Sequence, residues 1–480
     1  MTTRGLPPYA PRMAPPSVTW RGFVPFLPVA AGLFCIQLDF FSLGLALPTI
    51  ALDLGTTVTD LQWALSGYMI ALGALLIPAG RLGDVLGRRE VVLAGIALFG
   101  LSSLVCGLAS TVPLLVGARV VQGVGAALIM PSSFALVTNA TTEQERPRIT
   151  GMMLGVAGVG TALGPVVGGV LSSTAGWRWV FLVNVPVALL ALWGGRRLRT
   201  SRDETAGRDL RRLDWAGALT VVGGLVAVSV AVDDVAVEGW TAPVTWVPLL
   251  LGALLLVAFA VRETRAAEPL VRPSLVRNHL FVVLLVAGTL ANIGTVVFVV
   301  AATIELQTLR GLSAAAAGVA FCVSSIGLAA CGPLSGWLTT RAPAGLVMAV
   351  AVLAAVPALA LLALAGPLPL YVLALGLCGL TTGMGFSLGQ VAVQNVLPAE
   401  RSAEGSGVML TALISVGGLG IVAASAAIEA VGPRPPTTEG VAVTLLGTAA
   451  ALLLAGLVAL AVEWPRRTRR PAVNRERLAS

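Results

Sequence analysis

The chain contains no lysine: all 31 of its basic side chains are arginine. Charge of either sign is scarce, at 11% of 480 residues against a hydrophobic share of 56%, and the mean hydropathy is +0.91. A soluble protein of this length needs far more polar surface, so a soluble fold is excluded. Histidine occurs once, as His279, and the five cysteines (Cys35, Cys106, Cys322, Cys331 and Cys378) sit in apolar runs without C-x-x-C spacing. Neither a metal site nor a disulfide framework is expected from that set. The chain has no G-x-x-x-x-G-K-[ST] loop and no grouping of nucleophile, acid and base, which argues against ATP hydrolysis and enzyme chemistry. The net charge of +8 is scattered over short loops instead of forming one face, so no nucleic-acid partner is expected.

Long apolar runs are what the chain has in abundance. Stretches near 24–48, 61–80, 90–110, 113–138, 149–172 and 178–195 each reach the ~20 residues that cross a bilayer as a helix. Further runs follow at 214–232 and 243–261, then at 280–304, 313–337, 344–365, 369–396, 404–430 and 440–462. The fold class is therefore an all-α polytopic membrane protein with fourteen transmembrane helices. Its segments are a cytoplasmic N-terminal stretch (1–23), a six-helix bundle (24–195), a linker (196–213), two inserted helices (214–261), a loop (262–279), a second six-helix bundle (280–462) and a basic tail (463–480).

Arginine placement tests the count, because one helix too many or too few inverts every later loop. With the N-terminus inside, every arginine lies on the cytoplasmic side except Arg178, Arg310 and Arg434 outside and Arg119 within a span. That bias places both termini in the cytoplasm and the protein in the cell membrane. Residues 1–23 hold Arg4, Arg12, Arg21, five prolines and no acid, and the apolar run that follows is too long for a signal-peptide core.

Between the second and third spans stands Gly80-Arg-Leu-Gly-Asp84-Val-Leu-Gly87-Arg88-Arg89. Its glycines remove side chains where helix ends approach, its arginines mark the cytoplasmic side, and Asp84 needs a cationic partner or a helix N-terminus. A degraded copy, Gly332-Pro-Leu-Ser-Gly336, recurs in the second half, and Thr150-Gly-Met-Met-Leu154 matches Ser406-Gly-Val-Met-Leu410. Two related halves around a central cavity are the architecture of alternating-access transporters.

These motifs resemble those of the major facilitator superfamily, and within it the fourteen-helix drug:proton antiporters. The likeness extends to Leu38-Asp39 with Ala46-Leu47-Pro48 closing the first helix, to Arg119-Val-Val-Gln122-Gly123, and to Gly160-Thr-Ala-Leu-Gly164-Pro165-Val-Val-Gly168-Gly169. It also covers Trp177-Arg-Trp-Val-Phe-Leu-Val-Asn184-Val-Pro186 and Asp214-Trp215-Ala-Gly217. The chain departs from the pattern at Phe40-Phe41-Ser42 and at Gly336, which stands where the first-half hairpin has its acid. The resemblance implies a bacterial exporter of drug-like or antibiotic compounds, with the glycine motif of the fifth span as the clue to direction. An uptake symporter or lipid translocator on the same fold, and a non-transporting sensor or scaffold, remain open on the residues alone.

Ionisable groups inside a span cost at least ~2.5 kcal/mol and mark functional positions. Asp39 is nine residues from Pro48, roughly 13 Å below the outer surface at helical rise. Gln122 falls at a similar depth, and Arg119 lies six residues into the fourth span from the same side. Burial among Phe34, Leu38, Phe40 and Phe41 disfavours a charged Asp39 while Arg119 favours it, so Asp39, Arg119 and Gln122 are read as the proton-coupling set, with a static structural ion pair as the alternative. Glu305 and Glu429, at outer helix ends, read first as snorkelling interfacial groups, with secondary membership of the proton-coupling set as the alternative. Asn292, Gln390, Gln394 and Asn395 are the polar groups of a cavity for a hydrophobic or amphipathic small molecule, or else interhelical hydrogen-bond formers. The conformational switch comprises Gly80, Asp84, Gly87, Arg88 and Arg89 with Gly160, Gly164, Pro165, Gly168 and Gly169. Asp84 is expected to meet the helix N-terminus near Ser402–Ser406 when the cytoplasmic ends close. The partners are then substrate, protons and lipid, the protein acts as a monomer, and no cofactor is needed because the proton gradient supplies the drive. The inserted pair carries no midplane charge and belongs at the periphery, bracing the halves. A photoreactive substrate should therefore leave residues 214–261 unlabelled, and peptide mapping of the label checks this.

Overall fold

Backbone amides inside hydrocarbon find no water, so each spanning run must close its own hydrogen bonds as a helix. The computed structural model describes residues 23–58, 60–142, 145–198, 214–238, 242–266, 269, 271, 273–339, 341–397, 399–430 and 437–469, and among them fourteen helices are long and apolar enough to span a bilayer. The first half comprises α1 (Leu27–Leu54), α2 (Gln62–Leu86), α3 (Arg88–Gly107), α4 (Val112–Ala140), α5 (Arg146–Thr174) and α6 (Arg178–Gly195, interrupted at Val183). The inserted pair is α7 (Trp215–Glu238) and α8 (Pro243–Glu263). The second half comprises α9 (His279–Thr303, continued by a π turn, Ile304–Leu309), α10 (Ala314–Thr339), α11 (Ala344–Leu364), α12 (Leu368–Val396), α13 (Ala399–Ala430) and α14 (Thr438–Arg469).

Helix pairings repeat between the halves. In the first, α1 packs on α5 and α6, α4 on α2 and α3, and α3 on α6; in the second, α9 packs on α13 and α14, α12 on α10 and α11, and α11 on α14. Two seams join the halves, α2 against α13 and α5 against α10. Helix α7 lies across the first seam, where Leu225 packs with Ile70 and Ala74 of α2 beside Leu419 of α13. Helix α8 packs chiefly on α7, and only 11% of its apolar window is buried, against 72% for α1, which leaves α8 to the lipid. The end of the pair where α7 begins and α8 finishes is pinned by Asp214. Its Oδ1 accepts the Gly217 amide at 2.9 Å as an N-cap of α7 and the Arg262 Nε of α8 at 2.6 Å.

Three expectations change. Pro48 does not close α1: the helix runs on to Leu54 and stops at Gly55, whose φ of +64° suits glycine. Proline removes one hydrogen bond, to Gly44, and with no side chain there the helix continues past it. Asp39 is thereby 15 residues from the outer helix end, about 22 Å, near the middle of α1. The charged hairpin is also tighter than a loop, since α2 continues through Leu86 and α3 starts at Arg88, with Gly87 at φ +111° as the whole turn. The seventh span also outruns its apolar stretch of 214–232, since α7 continues to Glu238 and carries Asp233 and Asp234 on its last turns.

The glycine motif of α5 works on two faces. A Cβ on Gly160 would lie 2.6 Å from the Phe34 carbonyl oxygen and one on Gly168 2.3 Å from that of Ser42, while Gly164 abuts Phe41, so these three seat α5 against α1. Gly169, 2.3 Å by the same measure from the Ala314 oxygen, and Pro165, whose oxygen would be 2.5 Å from a Cβ on Gly318, meet α10. Lower on that second face the contact ends: Cβ atoms on Gly151, Gly155 and Gly158 of α5, or on Gly332 and Gly336 of α10, would meet nothing within 4 Å. The close backbone contacts between these two helices thus lie at the Gly169–Ala314 end. At the touching end Gln307 of the π turn also donates to the Leu45 carbonyl of α1 at 3.0 Å. Gly168→Ala should therefore cost about 1–3 kcal/mol through a clash with backbone that cannot yield, whereas Gly155→Ala should be neutral or slightly stabilising. Thermal unfolding of the two variants in detergent distinguishes them.

Candidate functional site

The site is built around a carboxylate on α1. Asp39 and Arg119, both fully buried, form an ion pair through Oδ2 and Nη1. The other carboxylate oxygen, Oδ1, accepts Gln122 Nε2 at 3.0 Å and Asn184 Nδ2 at 3.1 Å. Arg119 and Gln122 are one helical turn apart on α4, so both reach the same acid, and Arg119 Nη1 also donates to Gln122 Oε1 at 2.6 Å. The network continues from Gln122 Nε2 to Ser103 Oγ of α3 at 2.7 Å and from Arg119 Nε to the Ala64 carbonyl of α2 at 2.8 Å. The guanidinium lies 4.2 Å from the centre of the Tyr68 ring and 5.8 Å from that of Phe181. Five helices, α1, α2, α3, α4 and α6, thus converge on one charge pair.

Energetics decide what this arrangement can do. A buried pair gains little over an apolar pair, but removing one partner strands a charge and costs 3–5 kcal/mol. Here Arg119 keeps a carbonyl, an amide oxygen and two aromatic faces that do not involve Asp39. Removing the charge at position 39 therefore leaves the arginine partly held. Arg119 Nη2, Tyr68 Oη and Asn184 Oδ1 are buried without a hydrogen-bond partner, so polar capacity remains beside the pair.

Asp39, Arg119 and Gln122 are brought together; Asn184, Ser103 and Tyr68 join them without having been singled out. Asn184 was visible as an amide in the apolar run of the Trp177–Pro186 motif, but only the break at Val183 between the two parts of α6 brings it to Asp39. The same motif supplies an outer clasp, in which Trp177 Nε1 and Arg178 Nη1 donate to Asp53 of α1 at 3.0 and 2.8 Å.

The other groups lie elsewhere. Glu305 does not snorkel: it is buried in the π turn and paired at 2.9 Å with Arg310 Nε. Arg310 stacks 4.6 Å over the Tyr371 ring and donates to the carbonyls of Ala365 and Gly366 at 2.9 and 2.8 Å, capping α11. A cation at a helix C-terminus is well placed there, and the acid turns inward to meet it. Asn292 donates to the Leu413 carbonyl of α13 at 2.7 Å, the interhelical alternative for that residue. The side chains of Gln390, Gln394, Asn395 and Glu429 lie outside the described residues. Near the Gly87 turn between α2 and α3, Gly83 lets α2 approach Ser132 of α4, and Gly80 lets it approach Pro131. Asp84 is held by Arg88 at 2.7 Å, one turn along, and Arg89 Nη2 donates to the Arg196 carbonyl beyond α6 at 2.7 Å. The side chains of Ser402 and Ser406, the expected partners of Asp84, are outside the described residues.

The chain resembles known proteins over most of its length. It is 31% identical over 386 residues to the multidrug resistance protein Stp of Mycobacterium tuberculosis (strain CDC 1551 / Oshkosh), covering 79% of this chain and 70% of that protein. It is 40% identical over 250 residues to the puromycin resistance protein pur8 of Streptomyces alboniger, covering 52% of this chain and 49% of the relative, so the match spans about half of that protein. Among solved structures, a peptide transporter POT in complex with sulfate superposes with a TM-score of 0.69 at 18% identity, over 94% of this chain and 96% of that one, a likeness of fold. The family model for the Major Facilitator Superfamily matches residues 29–421, and with the fold and the Stp alignment this establishes that the chain belongs to that superfamily.

Proposed function

We propose that this protein is a secondary exporter of drug-like or antibiotic organic compounds that works by proton antiport, with both termini in the cytoplasm. The relatives named for multidrug and puromycin resistance support efflux, and the arginine bias supports the orientation. The observation that carries the proton reading is a fully buried Asp39 whose arginine partner is held independently of it. When the site faces the acidic outside, Asp39 takes up a proton and its bond to Arg119 weakens. After the halves rock, Asp39 gives that proton to the cytoplasm and regains Arg119, so proton entry is linked to substrate exit. Pro165 and Gly169 at the α5–α10 seam supply the close backbone contact on which the halves turn, and the open space beside Gly151, Gly155, Gly332 and Gly336 toward the arginine-rich side supports a cavity open to the cytoplasm.

Asp39→Asn preserves size and hydrogen bonding but cannot ionise. In proteoliposomes with an imposed pH gradient it should abolish uphill export and substrate-driven proton flux while leaving substrate binding measurable; undiminished coupled flux would remove Asp39 from the mechanism. A wild-type pH change of the sign that accompanies co-movement would favour symport and overturn the export reading. Stability gives a separate check. Arg119→Leu strands Asp39 and should cost about 3–5 kcal/mol. The double variant Asp39→Asn/Arg119→Leu should recover most of that loss in thermal unfolding.

A further inference from the structure

A cavity of about 500 Å³ opens in the flank of the second half, away from the Asp39 network, between α9, α13 and α14. Its walls include Ile293 and Val297 of α9, Ala423 and Ala427 of α13, and Gly447 and Ala451 of α14. Among the described residues, no charged side chain lines it. Thr444 and Thr448 do, but their hydroxyls donate to their own helix, to the Gly440 and Thr444 carbonyls at 2.8 Å each, so the groove meets methyl groups. A Cβ on Gly447 would meet nothing within 4 Å, and Val443, 47% exposed at the rim, continues into the exposed face of α14 formed by Leu446 and Leu454. The groove is a recess in the lipid-facing surface.

We infer that this recess is a binding site for one acyl chain of an outer-leaflet phospholipid. Its depth follows from the lining: the α13 residues Gly420–Ala427 lie roughly 5–15 Å from the Ala430 end of that helix. With the proposed orientation of the termini, that end is the outer one. The volume equals about seventeen water-sized groups, the bulk of one long hydrocarbon chain. In a bilayer no hydrophobic force distinguishes groove from lipid, so occupancy depends on shape and dispersion; an unfilled recess forfeits contacts that a flexible chain supplies. A transported compound needs placed polar groups to orient it, and this lining presents none. The occupant would rest on Ile293, beside the Asn292 that ties α9 to α13, and so pack against the helix pair on which the second half is built.

The test uses the full-length protein in nanodiscs containing a phospholipid with a photoreactive diazirine in its acyl chain, followed by peptide mapping. Labelling of 420–427 and 443–452 should exceed that of the exposed α8 side chains Leu250, Leu254 and Val257 by about tenfold. Gly447→Phe and, separately, Ala423→Phe fill the recess and should remove the excess while labelling of α8 stays unchanged. Equal labelling of groove and α8, or an excess that persists in both filled variants, would overturn the proposal. No substrate or gradient is present, so either result is independent of whether the protein exports drugs.

Discussion

The structure depends on placing one acid and one arginine where neither has water. Asp39 and Arg119 tolerate complete burial only because each finds the other and because neutral groups take up much of their remaining hydrogen-bonding capacity. Those neutral groups come from Gln122 on α4 itself and, directly or through Gln122, from three further helices, α2, α3 and α6, so the pair also fixes the registers of α1, α2, α3, α4 and α6. Moving any one of these helices by a turn, about 5.4 Å, would leave a charge or an amide unmatched. The requirement that pairs the two buried charges also specifies how the first half is assembled.

A second constraint operates through absent side chains. On α5, glycines at 160, 164 and 168 give backbone contact with α1, a tight joint inside one half, while Pro165 and Gly169 give it with α10, a joint between halves. Backbone contact on the first face is spread along α5, and on the second it is concentrated at the Pro165–Gly169 end. The far ends of α5 and α10 carry glycines that touch nothing, so the same residue type makes a joint at one end and leaves room at the other. Without a hydrophobic force between helices in lipid, this close backbone approach is the principal source of attraction available.

The inserted helices meet the bundle unequally. Helix α7 contributes Leu225 to the α2–α13 seam, whereas α8 touches little beyond α7. What holds the pair as a unit is local: Asp214 caps α7 and accepts Arg262 from α8, and Gly217 must lack a side chain because a Cβ there would fall 2.5 Å from Asp214 Oδ2. The Asp214-Trp215-Ala-Gly217 motif is thus a cap and a staple.

Composition, arginine placement and spacing determined the membrane class, the fourteen spans and the internal repeat, because backbone desolvation and charge asymmetry act on any apolar sequence regardless of its neighbours. Asp39, Arg119 and Gln122 were legible for a similar reason: a polar group in a span stands out whatever surrounds it. What faces what was decided by tertiary structure. Pro48 was read as a helix end because a lost hydrogen bond breaks helices in water, yet it costs a single bond here, and α1 carries on until Gly55. Glu305 was read as reaching for the surface, but the π turn and Arg310 bring it inward. Asn184 reaches Asp39 across 145 residues of chain, and no local spacing encodes that distance. The division of one glycine motif between α1 and α10, and the groove beside Gly447, likewise exist only once three helices are side by side. Periodicity reports which groups must be satisfied, and packing alone selects the partners that satisfy them.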